Sequence, residues 1–337
     1  MSTRDSIVDY LKKRGSAGSK ELSEHFGISR QALNVHFKTL VNSGEITRTG
    51  ATRNTRYHHS SFNPAPEVYK GDFSIADLDE SRVYQRAALS LNLTHKLKPG
   101  VETIAQYAFT EMLNNAIDHS ESGKVKVVAE LGSGVLKFEI KDWGIGVFFS
   151  LAHKLGYPDE HDAMVQLIKG KTTTMPEAHS GEGIFFTSKA ADRMVLRSHH
   201  IQLEWHRGHQ DVFVSSRRFM KGTQVSLEIQ RGSRTKLAEV FARFAPEEFD
   251  YQFAKTLVQV KLLEQEYISR SEARRLLLNL DKFKAIELDF NEVNTVGQGF
   301  TDEIFRVWAS SHPGIEIKPI NANQAVTAMI RHAGVME

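Results

Sequence analysis

The sequence predicts an α/β multidomain protein, and three observations carry that reading. Three helix-sized segments run into a basic ribbon within the first sixty residues. A long helix then leads to a tight hairpin and glycine-rich turns, and the last ninety residues alternate strand with helix. A length of 337 residues gives room for two or three domains. With 40% hydrophobic and 25% charged residues the composition is that of a soluble globular protein. No apolar run approaches a membrane span and the N-terminus has no signal-peptide core, so no membrane contact and a cytoplasmic location are expected. Zero cysteines exclude disulfides and thiolate metal sites and fit a reducing compartment. The net charge of +2 is unevenly placed: residues 1–60 hold ten Lys/Arg against five Asp/Glu, leaving 33 against 36 elsewhere. That surplus points to a polyanion partner for the first domain alone.

In residues 1–59, Ser2 or Thr3 can cap a helix in which Ile7, Tyr10 and Leu11 recur until Gly15. Ser19 can cap a second helix, Lys20 to Phe26, and Gly27 makes a tight turn. A third helix follows Ser29 to about Asn42 with Leu33, Phe37 and Leu40 as its apolar stripe. Arg30, Gln31, Asn34 and Lys38 stand on the opposite side, and these side-chain types contact base edges and phosphates in the major groove. Residues 45–57 read as a β-ribbon carrying Arg48, Arg53 and Arg56. The order of elements resembles the winged helix-turn-helix family, an α+β fold, which implies double-stranded DNA as the partner. Residues 60–85, with Pro64, Pro66 and no clear period, read as a linker with one docked turn. His58-His59 and His199-His200 lack the further ligands that a metal site needs.

The central stretch is Phe109–Ser120. As a helix it puts Glu111, Asn115 and Asp118 at i, i+4 and i+7 on one face. An amide oxygen can ligate a hard cation and a carboxylate can orient or deprotonate an attacking group, which suits a magnesium-bound phosphate. Strands at 124–131 and 135–141 form a hairpin through Gly132-Ser133-Gly134. Leu136, Phe138 and Ile140 alternate inward, and Asp142 continues their phase, so a carboxylate is expected to point into the core-facing layer. Gly144 and Gly146 follow, where bare backbone lets a flat ligand approach, and a buried Asp there suits an adenine amino group. Residues 159–169 read as a helix and 170–176 as a mobile loop; Gly181 and Gly183 then open a helix whose N–H groups can cradle phosphate.

Four pieces in this order, Glu111-x-x-x-Asn115 with Asp118, Asp142-x-Gly144-x-Gly146, Gly181-x-Gly183 and Gly222-Thr223, resemble the GHKL ATPases. That family spans sensor histidine kinases, anti-sigma-factor serine kinases, heat-shock chaperones and type II topoisomerases. The resemblance covers residues 86–232 and implies an α/β sandwich with a mixed sheet that binds ATP and Mg²⁺. It further implies that Asn115 ligates the metal, that Asp142 reads adenine with Thr223 sharing its water, and that Gly181 and Gly183 close over the phosphates with Ser180 adjacent. Glu111 would be the catalytic base. Lys169 and Lys171 are candidate lid contacts, or else solvated.

Residues 247–337 alternate in βαβ fashion, and the runs at 271–280 and 288–300 resemble STAS-like domains, the fold of anti-sigma-factor antagonists. In those antagonists a serine at the start of the second helix accepts phosphate; Gly299 stands there in this chain, with Thr295 and Thr301 as the nearest hydroxyls. The expected function is an ATP-binding transcriptional regulator in which the nucleotide domain modulates the DNA-binding domain. The STAS-like domain would bind a protein or its own ATPase module, and a homodimer is the expected assembly. The rivals are a protein serine/threonine kinase acting on a STAS domain and a DNA-associated ATPase.

Overall fold

The structure is a computed structural model that describes residues 2–49, 55–60, 66–175, 181–207, 211–263 and 267–334. The chain divides into two compact units, residues 1–67 and 68–337. No described helix is long and apolar enough to cross a membrane.

In the first unit α1 (Thr3–Arg14), α2 (Ser19–Phe26) and α3 (Arg30–Asn42) stand with a small sheet of β1 (Ser16–Gly18), β2 (Ile46–Thr49) and β3 (Arg56–His59) in the order β1-β3-β2. Local sequence sets the boundaries. Ser2 Oγ accepts the Asp5 N–H while the Asp5 carboxylate takes the Ser2 N–H, a reciprocal cap that starts α1. Ser29 Oγ accepts from the Ala32 N–H to start α3. Ile7, Leu11, Leu22, Leu33 and Leu40 form the core, closed by Phe37 stacked on Tyr57 with ring centroids 3.6 Å apart. The strand β1 has no counterpart in the sequence reading, because three small residues carry no period.

The second unit holds a seven-stranded sheet in the order β4-β5-β6-β10-β7-β8-β9. Its strands are β4 (Glu67–Ser74), β5 (Lys124–Leu131), β6 (Val135–Asp142), β7 (Arg193–Ser198), β8 (Ile201–His206), β9 (Asp211–Ser216) and β10 (Thr223–Gln230). The segment expected to be a linker therefore contributes a sheet strand and the start of α4 (Glu80–Leu91). From β5 to β9 every pairing is antiparallel, since short turns join β5 to β6, β7 to β8 and β8 to β9.

After α4 come α5 (Leu93–Lys96) and α6 (Pro99–His119), then α7 (Val147–Leu155), α8 (Glu160–Lys169), α9 (Gly183–Ala190) and α10 (Leu237–Phe244). Pro99 opens α6 at a position where its missing N–H costs nothing. Ile104, Ala108 and Met112 of this helix are buried in one core with Phe138 and Ile140 of β6. Phe109 meets Phe138 edge-on at 5.0 Å.

The C-terminal part of this unit has three parallel strands, β11 (Lys255–Gln259), β12 (Ala285–Asp289) and β13 (Glu316–Ile320), in that order. The helix α11 (Arg270–Leu277) connects the first pair. The second pair is joined by α12 (Gln298–Asp302), a π-helical stretch Glu303–Trp308 and α13 (Ala309–Ser311), and α14 (Gln324–His332) follows β13. Val293, Val296 and Phe300 are core residues here. So are Phe185 and Phe186 of α9, which plants that helix in the C-terminal core.

Candidate functional site

One face of α6 forms the floor of a cavity of about 260 Å³ in the second unit. Glu111 and Asn115 line it, one turn apart. Asp118 does not: it is exposed, and the cavity's rim passes instead to His119 and Ser120. The reason lies at the helix end, where the Ser120 carbonyl accepts the Ile145 N–H and pulls the β6–α7 turn to that side. Asn115 Nδ2 is buried without a hydrogen-bond partner among the described residues. An orphaned donor costs roughly 1–3 kcal/mol, so an acceptor supplied by a ligand would be favoured there.

The opposite wall is the end of β6. Strand alternation turns Asp142 inward, and it is only 3% exposed. Its Oδ1 accepts the N–H of Gly144 at 2.9 Å and of Thr223 at 3.1 Å. Burial raises its pKa, and those two N–H donors and nearby Lys141 oppose the rise. A carboxylate held by one oxygen keeps the other for the cavity. Gly144 is required by packing, since a Cβ would come within 1.7 Å of the Ser120 carbonyl oxygen. Thr223 lines the cavity, and its Oγ1 accepts the Val147 N–H at 3.0 Å, tying β10 to the start of α7. Gly146 is the residue before that helix and meets Ser198 and His199 rather than the cavity.

The third side is the start of α9. Gly181 and Gly183 both line the cavity, and a Cβ on Gly183 would sit 2.1 Å from a Glu111 carboxylate oxygen. The helix start and the acid on α6 therefore face each other directly. Ser180 lies outside the described residues. Thr172, Thr173 and Thr174 complete this side, with Thr174 Oγ1 3.2 Å from His119 Nδ1. These threonines and His119 escaped the sequence reading because no motif spacing marks them.

Lys169 does something else than expected. It is 2% exposed, and its Nζ donates to the carbonyls of Leu278 at 2.9 Å and Arg275 at 3.4 Å and to Gln166 Oε1 at 3.2 Å. Those carbonyls end α11, where helix carbonyls lack partners and a cation is favourable. Lys171 likewise donates to the Lys282 carbonyl at 2.9 Å. Both lysines fasten the base of the loop to the C-terminal part and leave the cavity. An ion pair of Arg275 with Asp162 at 2.8 Å and the Thr256 hydroxyl on the Lys169 carbonyl add to that seam.

In the first unit Arg30, Gln31, Asn34 and Lys38 are all exposed on α3. Val35, 61% exposed on the same helix, was not singled out from the sequence, yet an apolar side chain there can meet a thymine methyl. Arg48 is exposed, whereas Arg56 is bound to Ser16 through Oγ and carbonyl, so it joins β3 to β1. Arg53 lies outside the described residues.

Residues 272–327, from the first turn of α11 into α14, match the family model of a STAS-like domain of unknown function (DUF4325). Over these residues the C-terminal part is similar to STAS-like domains. No curated protein matches the chain. Within the STAS-like domain Thr295 is exposed, whereas Thr301 is fully buried and its hydroxyl is taken up by the carbonyls of Gly297 and Gln298.

Proposed function

We propose that the chain is an ATP-binding, DNA-binding transcriptional regulator, with the nucleotide in the cavity over α6 and the DNA on α3. The observation that carries the reading is the meeting of Glu111, Asn115, Asp142, Gly183 and Thr223 around one cavity, from stretches far apart in the chain. That is the set the GHKL resemblance implies. The free oxygen of Asp142 would accept the adenine amino group, and Leu151, Leu196 and Val225 offer apolar surface to the base. The triphosphate would lie at the start of α9, where N–H groups and the helix dipole favour negative charge.

Among the described residues no cluster of three His, Cys, Asp or Glu could hold a metal by itself. A magnesium ion fits such a site when one side-chain oxygen, that of Asn115, is completed by phosphate oxygens and water. Bound so, it would offset phosphate charge. Glu111, opposite the start of α9, is placed to take a proton from an attacking water or hydroxyl. Were phosphate transferred to the STAS-like domain, Thr301 is buried and Gly299 has no hydroxyl, which leaves the exposed Thr295 as the acceptor in that stretch.

The STAS-like domain would serve as the reader of occupancy, since Lys169, Lys171 and α9 bind the loop at the cavity's edge to it. ATP would then bias DNA affinity only as far as it binds two arrangements unequally. Fluorescence anisotropy of a labelled duplex, with and without Mg-ATP, tests the whole reading. Salt-dependent retention that shifts with nucleotide supports it; identical curves would remove the coupling, and no retention at all would remove the DNA function.

A further inference from the structure

A second cavity, of about 240 Å³, lies at the other end of α9. Its walls are Trp205 of β8, Val240 and Phe244 of α10, and Leu257 of β11. Into it face Lys189, His206, Arg207, Asp211, Glu239 and Arg243. Five of these six are already paired: His206 with Glu204, Arg207 with Asp192, Asp211 with Lys261, Glu239 with Lys236 and Arg243 with Glu287. Lys189 is not. Among the described residues its ammonium has no hydrogen-bond or ionic partner; it rests 5.2 Å over the Phe185 ring.

We propose that this cavity is a binding site for a small organic anion, whose carboxylate or phosphate head pairs with Lys189 and Arg243 while its apolar body lies against Trp205, Val240, Phe244 and Leu257.

Several observations converge on that chemistry. Lys189 is half-buried, and its ammonium reaches the cavity with no anion beside it among the described residues, so a ligand that brings one gains there. Burial pushes Lys189 down to about 8 and the neighbouring Arg243 adds to the push, so the site repels a further cation and gains from an anion. The pair of Arg243 with Glu287 is long, at 3.6 Å, and Arg243 is half-exposed, which leaves its guanidinium free to turn toward a ligand. Inorganic phosphate alone would leave the aromatic and aliphatic walls wet, whereas a phenyl or short alkyl body displaces that water. Because α9 begins at Gly183 on the first cavity and carries Lys189 on the second, one short helix borders both. The site itself stands whether or not the first cavity takes nucleotide.

Isothermal titration of the full chain with benzoate, phenyl phosphate and inorganic phosphate tests this. The expected result is saturable binding of benzoate or phenyl phosphate at one site, with inorganic phosphate weaker. Lys189→Met keeps the length of the stem and removes a desolvated charge, so it should fold, and it should lose at least about tenfold in affinity. Lys189→Arg should retain most of the binding, and so should Asp142→Asn in the first cavity. Absence of saturable binding by either organic anion would overturn the proposal. So would equal affinity in Lys189→Met, or binding lost in Asp142→Asn alone.

Discussion

Replacing Lys169 with Met sets two physical terms against each other, and pH separates them. Burial holds this side chain at about 7, against an ordinary 10.5, with Asp162 opposing the shift. The folded state therefore releases its proton near 7 while the unfolded chain keeps it to about 10.5. Between those values the unfolded state binds more protons, so raising the pH stabilises the fold. At about 1.4 kcal/mol per unit, the roughly 2.5 units from pH 7 to about 9.5 are worth on the order of 3 kcal/mol. Met escapes that cost at every pH, but it strips the carbonyls of Arg275 and Leu278 of their donor, at roughly 1–3 kcal/mol each. The second term hardly changes with pH. Urea unfolding of both proteins, followed by tryptophan fluorescence from neutral to alkaline pH, should thus show the wild type gaining about 3 kcal/mol on the variant. Taking the difference cancels the other lysines. A gap that stays flat, or a variant that gains as the pH rises, would refute the reading of Lys169 as a buried amine that gives up its proton near 7.

Other outcomes follow from the same geometry. With γ-labelled ATP, Glu111→Gln should bind nucleotide as the wild type does but release or transfer at least about a hundredfold less label, within the range expected for a lost general base; equal turnover would remove Glu111 from that role. Arg30→Ala combined with Lys38→Ala should weaken duplex binding and lower the slope of log affinity against log salt by about 1.8, the value for two lost phosphate contacts. An unchanged slope would mean that α3 does not meet the backbone through these side chains.

How much of this was legible depends on whether a signal is local. Ser2 and Ser29 cap their helices through partners three residues away, and Gly27 ends α2 in the left-handed region, so those boundaries stand in the sequence. The alternation of Leu136, Phe138 and Ile140 put Asp142 on the buried side by counting alone. The strand β4 was hidden because its residues are half-exposed or exposed and Gly71 interrupts its pattern. Asp118 misled for a related reason: helical spacing fixes a face but not where a cavity's rim leaves it. Lys169 could not be read at all. Its two carbonyl acceptors at the end of α11 are more than a hundred residues away in sequence, and a lysine beside a loop looks the same whether it meets phosphate, water or a distant helix end. The second cavity is illegible on the same ground, since its residues come from α9, β8, β9, α10 and β11.

The central claim is that the cavity over α6 holds Mg-ATP through Asp142, and calorimetric titration of the wild type beside Asp142→Asn tests it most directly. The amide can still accept from Gly144 and Thr223 through its oxygen, so the fold should survive. Its NH₂, however, would face the adenine amino group donor to donor. The account predicts one Mg-ATP bound by the wild type and a loss of about a hundredfold, near 2.7 kcal/mol, in the variant. No saturable binding by the wild type, or equal affinity in the variant, would contradict it.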